Sequence, residues 1–75
     1  MPRLPVLSGA KLIKILSQLG YSIRSRSGSH VTLIHPQKRP VTVVVTKELS
    51  IGVLKNALKI AGIERNELER ILKEL

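Results

Sequence analysis

The chain contains 75 residues, which predicts one small domain over residues 1–75 and leaves no room for a second. Its hydrophobic residues, 43% of the total, suffice for one core but not for a large internal cofactor pocket. The lack of cysteine excludes a disulfide framework, a thiolate metal site and a cysteine nucleophile. Thirteen Lys and Arg against five Asp and Glu give a net charge of +8, which favours polyanionic partners.

The positive charge is concentrated in the first two-thirds of the chain. Residues 1–47 contain eight basic side chains and no acidic one, whereas residues 48–75 contain five of each. Cations without nearby carboxylates cannot form local ion pairs, so we expect a nucleic-acid-binding face rather than a merely solubilising surface. Pro2, Arg3 and Pro5 interrupt the N-terminus, and no apolar run approaches about 18 residues. We therefore expect a cytoplasmic protein without a membrane segment.

The first predicted element is a helix that starts after Ser8 and stops at Gly20. Ser8 can cap the helix, and Gly20 can adopt the left-handed conformation that ends it. Leu7 can pack on Leu12 as a hydrophobic staple. The apolar stripe predicted from helical spacing consists of Leu12, Ile13, Leu16 and Leu19.

Three antiparallel strands are predicted in the middle of the chain, where apolar residues recur at every second position. In the first strand Tyr21 and Ile23 alternate with polar residues, and Ser27-Gly28 predicts the turn that follows. The loop 36–40 begins and ends with proline, which is poor in strand interiors, and so separates the second strand from the third. The predicted strands are residues 21–24, 30–34 and 41–45.

Two more helices are predicted after the strands. The second runs from the cap Ser50 to the stop Gly62, and the third covers residues 64–75. The resulting order is α-β-β-β-α with a short C-terminal helix, an α+β fold in which a three-stranded antiparallel sheet has its helices on one face. The predicted apolar stripes are Ile51, Leu54, Leu58 and Ala61 in the second helix, and Leu68, Ile71, Leu72 and Leu75 in the third.

His30 and His35 are the two histidines of the chain. They are five residues apart on one predicted strand, so their side chains leave opposite faces and cannot share a metal ion. The chain has no aspartate, and its glutamates all follow residue 47, so we expect neither a metal site nor a cofactor. Ser29 beside His30 is a poor nucleophile–base pair, because adjacent strand residues point apart.

Two interpretations of His30 stay open from its spacing alone. It is either a phosphate ligand near Arg24 and Arg26 or a half-exposed strand residue, whereas His35 is predicted to be a surface residue.

Tyr21 is the single Phe, Tyr or Trp residue, so the stacking platforms of common RNA-binding domains cannot be built. Recognition must therefore use the nucleic-acid backbone and its shape.

The chain carries five short motifs in a fixed order, which are Leu7-Ser8-Gly9, Leu19-Gly20-Tyr21, Gly28-Ser29-His30, His35-Pro36, and Gly52-Val53-Leu54-Lys55 leading to Ala61-Gly62-Ile63. With these motifs it resembles, over nearly its whole length, the HicA family, the toxin halves of HicA/HicB toxin–antitoxin systems. The resemblance implies a double-stranded-RNA-binding-domain-like fold and an mRNA interferase whose catalytic histidine is His30. It also implies a HicB-like antitoxin that blocks the toxin.

The chain departs from the family pattern in two regions. Many members carry a second histidine after the third strand, where this chain has Val45-Thr46-Lys47. Ser25 and Ser27 stand where basic residues are expected, with arginines beside them.

The predicted chemistry needs few protein groups. RNA supplies its own nucleophile, the 2′-hydroxyl, so His30 is assigned as the general acid/base, and cations steady the charge on the phosphate. Two alternatives stay open, a non-catalytic double-stranded RNA or DNA binding module and a small structural protein whose charge only solubilises it. The predicted RNA contacts are Arg24, Arg26, Ser29, Lys38, Arg39, Lys55 and Lys59.

Overall fold

Helices flank a central run of three strands in the computed structural model, which describes residues 6–75. The predictions that rest on Pro2, Arg3 and Pro5 lie outside the described residues. Within residues 6–75, no helix has the length and apolar character needed to cross a bilayer. The elements are α1 (Gly9–Gln18), β1 (Ser22–Ser27), β2 (His30–Ile34), β3 (Val41–Val44), α2 (Ile51–Ala61) and α3 (Arg65–Glu74), which confirms the predicted α+β order.

The strands form one antiparallel sheet in the order β1-β2-β3. Residues that face each other in adjacent strands share a face of the sheet, and successive residues alternate between faces. Thr32 pairs with Thr42 on the face opposite the core, and their hydroxyl oxygens are 3.5 Å apart. We call this side the open face. The core side carries the buried residues Val31, Leu33, Val41 and Val43.

All three helices contribute to the core on that one side of the sheet. The predicted stripe of α1 is partly wrong, because Ile15 is fully buried whereas Ile13 and Leu19 are only partly buried. In α2, Ala57 is buried and the predicted Ile51 is 54% exposed. Ile51 is the first helical residue, and the preceding Leu49 is buried there instead.

The third helix places Leu68 and Ile71 in the core, as predicted. Leu72 is partly buried. The prediction for Leu75 is wrong, because this residue follows the last helical position, so helical spacing no longer determines where its side chain lies, and it is 41% exposed.

The helix caps follow the sequence closely. The Ser8 hydroxyl accepts a hydrogen bond of 3.1 Å from the Lys11 N–H, and the Ser50 hydroxyl accepts one of 3.3 Å from the Val53 N–H. Each side chain satisfies a backbone donor that the first turn of a helix leaves free. Gly62 has φ 72° and closes α2 in the left-handed conformation.

The N-terminus of α1 sits directly against the chain that leaves β3. The Gly9 N–H donates to the Thr46 carbonyl at 2.9 Å, and the Leu49 N–H donates to the Leu7 carbonyl at 2.7 Å. A Cβ atom on Gly9 would overlap the Val44 carbonyl oxygen and lie 2.8 Å from the Val45 Cα. This contact requires glycine because of space, since Gly9 has no positive φ.

We predict that Gly9→Ala lowers the free energy of unfolding by at least about 2 kcal/mol, because backbone atoms must move to admit the methyl group. Gly52→Ala is the matched control, since Gly52 also lies in the first turn of a helix but a Cβ there would meet nothing within 4 Å. It should raise stability by about 0.5–1 kcal/mol through helix propensity. Urea unfolding followed by circular dichroism measures both; equal effects would contradict the close contact at Gly9.

Candidate functional site

His30 is the first residue of the central strand β2, and its side chain is exposed. It faces Ser27 on β1 and Val44 on β3, so it lies at the end of the sheet where β1 turns into β2. His30 is two positions before Thr32 in the strand and therefore shares the open face. Within residues 6–75, no side-chain hydrogen bond or ion pair engages the imidazole, so both ring nitrogens are free to meet a ligand.

A tight turn fixes where His30 begins the strand. The turn consists of Gly28 and Ser29, one residue later than predicted, because Ser27 still belongs to β1 and pairs with His30. Gly28 has φ 59°, and a positive φ at the first position alone is typical of a type II′ hairpin turn, which glycine favours. The Ser29 carbonyl accepts a bond of 2.7 Å from the Val45 N–H, which ties the turn to the end of β3.

A β-bulge in β1 separates the two arginines that were predicted to flank His30. The register shifts between Ile23 and Ser25, so Arg24 is the extra residue. Two bulged residues oppose one partner residue, so Arg24 and Ser25 both oppose Thr32 of the open face. Beyond the bulge, Arg26 pairs with Val31, whose side chain is on the core side. The two arginines therefore leave β1 on different faces.

β1 is an edge strand, and all six of its residues are exposed. Ile23 pairs with Leu33 on the core side, yet it is 58% exposed. Since α1 and α2 pack on β3 at the other edge of the sheet, they leave this side of β1 uncovered. Period-two spacing alone does not predict that exposure.

Lys38 and Arg39 lie at the end of the sheet opposite His30. They belong to the loop between β2 and β3, which leaves β2 after Ile34. Four residue steps separate His30 from Ile34, and at the usual rise of a strand they span about 13 Å. The sequence-predicted RNA contacts therefore do not form a single cluster around the histidine.

The loop between β2 and β3 is held in place at several points. The Tyr21 hydroxyl donates to the Arg39 carbonyl at 3.0 Å, and Lys38 Nζ donates to the Ala61 carbonyl at the end of α2. A cation at that end also interacts favourably with the helix dipole. A tyrosine hydroxyl is protonated near neutral pH and can donate, and burial raises the pKa of the Tyr21 hydroxyl above its ordinary value.

The prediction that His35 is a mere surface residue is wrong. Its Nδ1 accepts a bond of 3.0 Å from the Gln37 N–H, and its Nε2 lies 3.1 Å from the Leu19 carbonyl. The ring also contacts Tyr21, with 5.0 Å between ring centroids. Since Nδ1 is an acceptor, the proton is on Nε2 and is donated to the end of α1. His35 thus joins α1 to the loop and has no free nitrogen for chemistry.

Arg39 and Lys59 meet in one cleft, although they are 20 positions apart in the chain. The cleft has a volume of about 400 Å³ and is lined by Arg39, Asn56, Lys59 and Ile60. We call it the α2 cleft. Lys55, one helical turn before Lys59, is exposed but does not line it.

Two further cations, which no sequence motif connects with His30, lie at the same end of the sheet. Lys47 follows Thr46, whose carbonyl binds Gly9, and the preceding Val45 binds Ser29. Lys11 lies in the first turn of α1, which starts at the same place. Both side chains are exposed, and only the tertiary contacts bring them to this end.

In the part of the chain that the structure describes, ion pairs do not neutralise these cations. Within residues 6–75, one ion pair is present, Arg65 with Glu69 on α3 at 3.8 Å. In the same part of the chain, no three His, Cys, Asp or Glu side chains are close enough together to hold a metal ion. The exposed cations at both ends of the sheet are thus available to an anionic partner.

Comparison with known families gives one match. Residues 9–63 match the family model described as HicA toxin of bacterial toxin-antitoxin systems. The matched span covers more than half of the chain and includes His30 and every predicted RNA contact, whereas α3 lies beyond it. Comparison with curated proteins finds no match.

The two histidines should differ in their neutral tautomers. We predict that neutral His35 is the Nε2–H form, because the Gln37 N–H occupies Nδ1, whereas His30 exchanges between both forms. Long-range ¹H–¹⁵N NMR correlations of the two imidazoles distinguish the tautomers. An Nδ1–H form of His35, or a single fixed tautomer for His30 in the free protein, would contradict the contacts described above.

Proposed function

The chain belongs to the HicA toxin family and is a toxin of a toxin–antitoxin system, and we propose that it acts as a metal-independent endoribonuclease on mRNA. The observation that carries this proposal is the position of His30. It is exposed at the start of the central strand, neither ring nitrogen has a partner among residues 6–75, and cations lie on the surrounding elements.

The proposed reaction uses the RNA 2′-hydroxyl as nucleophile. His30 accepts the proton of that hydroxyl as its oxygen forms a bond to phosphorus, and the bond from phosphorus to the 5′-oxygen breaks. The protonated imidazole then gives its proton to the departing 5′-oxygen. The products are a 2′,3′-cyclic phosphate and a 5′-hydroxyl, so one histidine and no metal ion account for every atom and proton.

Cations near His30 would stabilise the charge that gathers on the phosphate. Arg24 opposes Thr32 of the open face, about 7 Å along β2 from His30. Lys11 and Lys47 lie at the same end of the sheet. We assign these three to the phosphate being cleaved, and Arg26 with Ser29 to the adjoining backbone.

The remaining predicted contacts lie farther along the molecule. Lys38 donates to Ala61, and an ammonium group has three donors, so it keeps two for a phosphate. We propose that Lys38, Arg39, Lys55 and Lys59 bind RNA backbone away from the cleaved bond. Because phosphates are common to all sequences, these contacts add affinity rather than sequence specificity.

We propose that the partner of the toxin is a HicB-like antitoxin. An active ribonuclease would damage its own cell, so its site must be covered when the toxin is inactive. An acidic surface on the antitoxin would associate rapidly with the basic region formed by residues 1–47, because complementary charges steer encounter. Such a complex would cover His30, and antitoxin and RNA would compete.

We predict that His30→Ala lowers the rate of RNA cleavage by about 10²–10⁴-fold, the usual contribution of a positioned proton-transfer group. RNA affinity should change little, because the Lys and Arg side chains that supply the positive charge for phosphate binding are unchanged in this variant. Single-turnover cleavage and equilibrium binding measure the two effects, with circular dichroism as the test of folding.

Ser27→Ala is the matched control, because Ser27 faces His30 across the turn but cannot act as an acid or base near neutral pH. It should cleave at close to the wild-type rate. Wild-type cleavage by His30→Ala would remove the histidine from the mechanism. Tight RNA binding without cleavage by the wild-type protein would instead favour the non-catalytic binding module.

A further inference from the structure

The α2 cleft lies between the loop that follows β2 and the C-terminal half of α2. Its lining combines the guanidinium of Arg39, the amide of Asn56, the ammonium of Lys59 and the apolar surface of Ile60. Arg39 and Lys59 are exposed. The cleft therefore presents two cations, one neutral hydrogen-bonding group and one apolar contact to whatever enters it.

In the part of the chain that the structure describes, no carboxylate forms an ion pair with either cation of the α2 cleft. The one ion pair among residues 6–75 is on α3 and involves neither side chain. Two like charges that converge on one cleft repel each other, and an anion placed between them removes that repulsion. The electrostatics of the cleft thus match an anionic ligand.

The backbone of the cleft is fixed before any ligand arrives. The Arg39 carbonyl accepts the bond of 3.0 Å from Tyr21, and Lys38 binds the Ala61 carbonyl of α2. These bonds hold the loop against the helix, so the positions of Arg39 and Lys59 relative to each other are set by the fold. Ligand binding therefore pays a smaller entropic cost for ordering the backbone of the cleft.

The chemistry of the lining fits a ribonucleotide. A guanidinium can bind a phosphate through two parallel hydrogen bonds, and an ammonium adds a point charge. The Asn56 amide can donate a hydrogen bond to a ribose 2′-oxygen, which remains an acceptor when it is methylated, and Ile60 can contact the apolar face of a sugar. A phosphodiester with its ribose uses all four groups, whereas a simple inorganic anion would leave Ile60 unused.

The α2 cleft and His30 lie at opposite ends of β3. This strand begins at Val41, two residues after Arg39, and ends at Val44, which pairs with His30. Its three residue steps span about 10 Å. We propose that the α2 cleft binds a phosphate and ribose of the RNA strand more than one nucleotide away from the bond cleaved at His30, an inference that rests on the proposed ribonuclease function.

The test compares two charge-matched double variants. Arg39→Gln/Lys59→Gln removes one arginine and one lysine from the cleft, and Arg70→Gln/Lys73→Gln removes the same pair from the exposed surface of α3. Binding is measured with uncleavable 2′-O-methyl RNA, either a dinucleotide or a 12-nucleotide strand, as a function of salt. Thermal unfolding confirms that both variants fold.

For the 12-nucleotide RNA, the cleft variant should lose at least about tenfold in affinity, the equivalent of one strong charge-assisted contact. Its log–log salt slope should fall by about 1.4, or about 0.7 for each cation removed. The α3 variant should change neither quantity appreciably. The dinucleotide contains one phosphodiester and its ribose, so it should also bind more weakly to the cleft variant than to the α3 variant, although it cannot reach His30 at the same time.

If the two double variants lost RNA affinity equally, the proposal would be overturned. Equal losses would mean that the RNA responds to the overall positive charge of the protein and not to a binding site in the α2 cleft. Unchanged RNA affinity together with loss of antitoxin binding would also overturn it and assign the cleft to a protein partner. Since the RNA cannot be cleaved, these outcomes do not depend on activity. If the wild-type protein binds RNA as expected but cleaves no natural RNA, the proposed ribonuclease function is refuted, whereas the proposed RNA binding in the α2 cleft is not.

NMR of the wild-type protein provides a measurement that needs no variant. The side-chain amide of Asn56 should shift when the 12-nucleotide RNA is added, whereas that of Asn66 on α3 should not. A shift of Asn66 with none at Asn56 would overturn the proposal.

Discussion

The pairing register of the central strand β2 determines where every functional group of this protein lies. His30 faces Ser27 on one side and Val44 on the other, and Leu33 faces Val41 at the far end. A slip by one residue would move each side chain of the strand to the other face, which would bury the histidine and expose Val31. Two local features oppose such a slip, the two-residue turn at Gly28 and the 2.7 Å bond between Ser29 and Val45.

The fold then distributes positive charge over both ends of the sheet. Lys11 and Lys47 reach the His30 end because the start of α1 packs against the chain after β3. Arg39 and Lys59 reach the other end because the loop after β2 is bonded to Tyr21 and to α2. Three cations from the acid-free residues 1–47 and one from α2 thus form two separate exposed groups, and among residues 6–75 none of the four is in an ion pair. RNA, whose phosphates repeat along the strand, is a partner that can use both.

The sequence predicted those features that depend on neighbouring residues. The caps at Ser8 and Ser50, the left-handed Gly62 and the strand order all follow from local patterns, and the structure confirms them. His30 could be singled out as a candidate for the same reason, since turn and strand start are local. Its catalytic role remains a proposal.

Features set by long-range contacts could not be predicted. Alternation places Arg24 and Arg26 on one face, but Arg24 is the extra residue of a β-bulge, which breaks the alternation. His35 was predicted to be a surface residue because its partners, the Leu19 carbonyl and the Tyr21 ring, are distant from it in the sequence. The meeting of Arg39 with Lys59 depends on how the loop docks on α2, and no spacing in the sequence encodes that.

The central claim is that His30 activates the 2′-hydroxyl of RNA, and the most direct test changes that one atom of the substrate. The cleavage site of an RNA is mapped first, and the same strand is then synthesised with a single 2′-deoxy sugar on the 5′ side of the cut. With EDTA present, the unmodified strand should yield a 2′,3′-cyclic phosphate by mass spectrometry, and the modified strand should stay intact at that bond. Cleavage at the deoxy position, or a requirement for a divalent ion, would contradict the account.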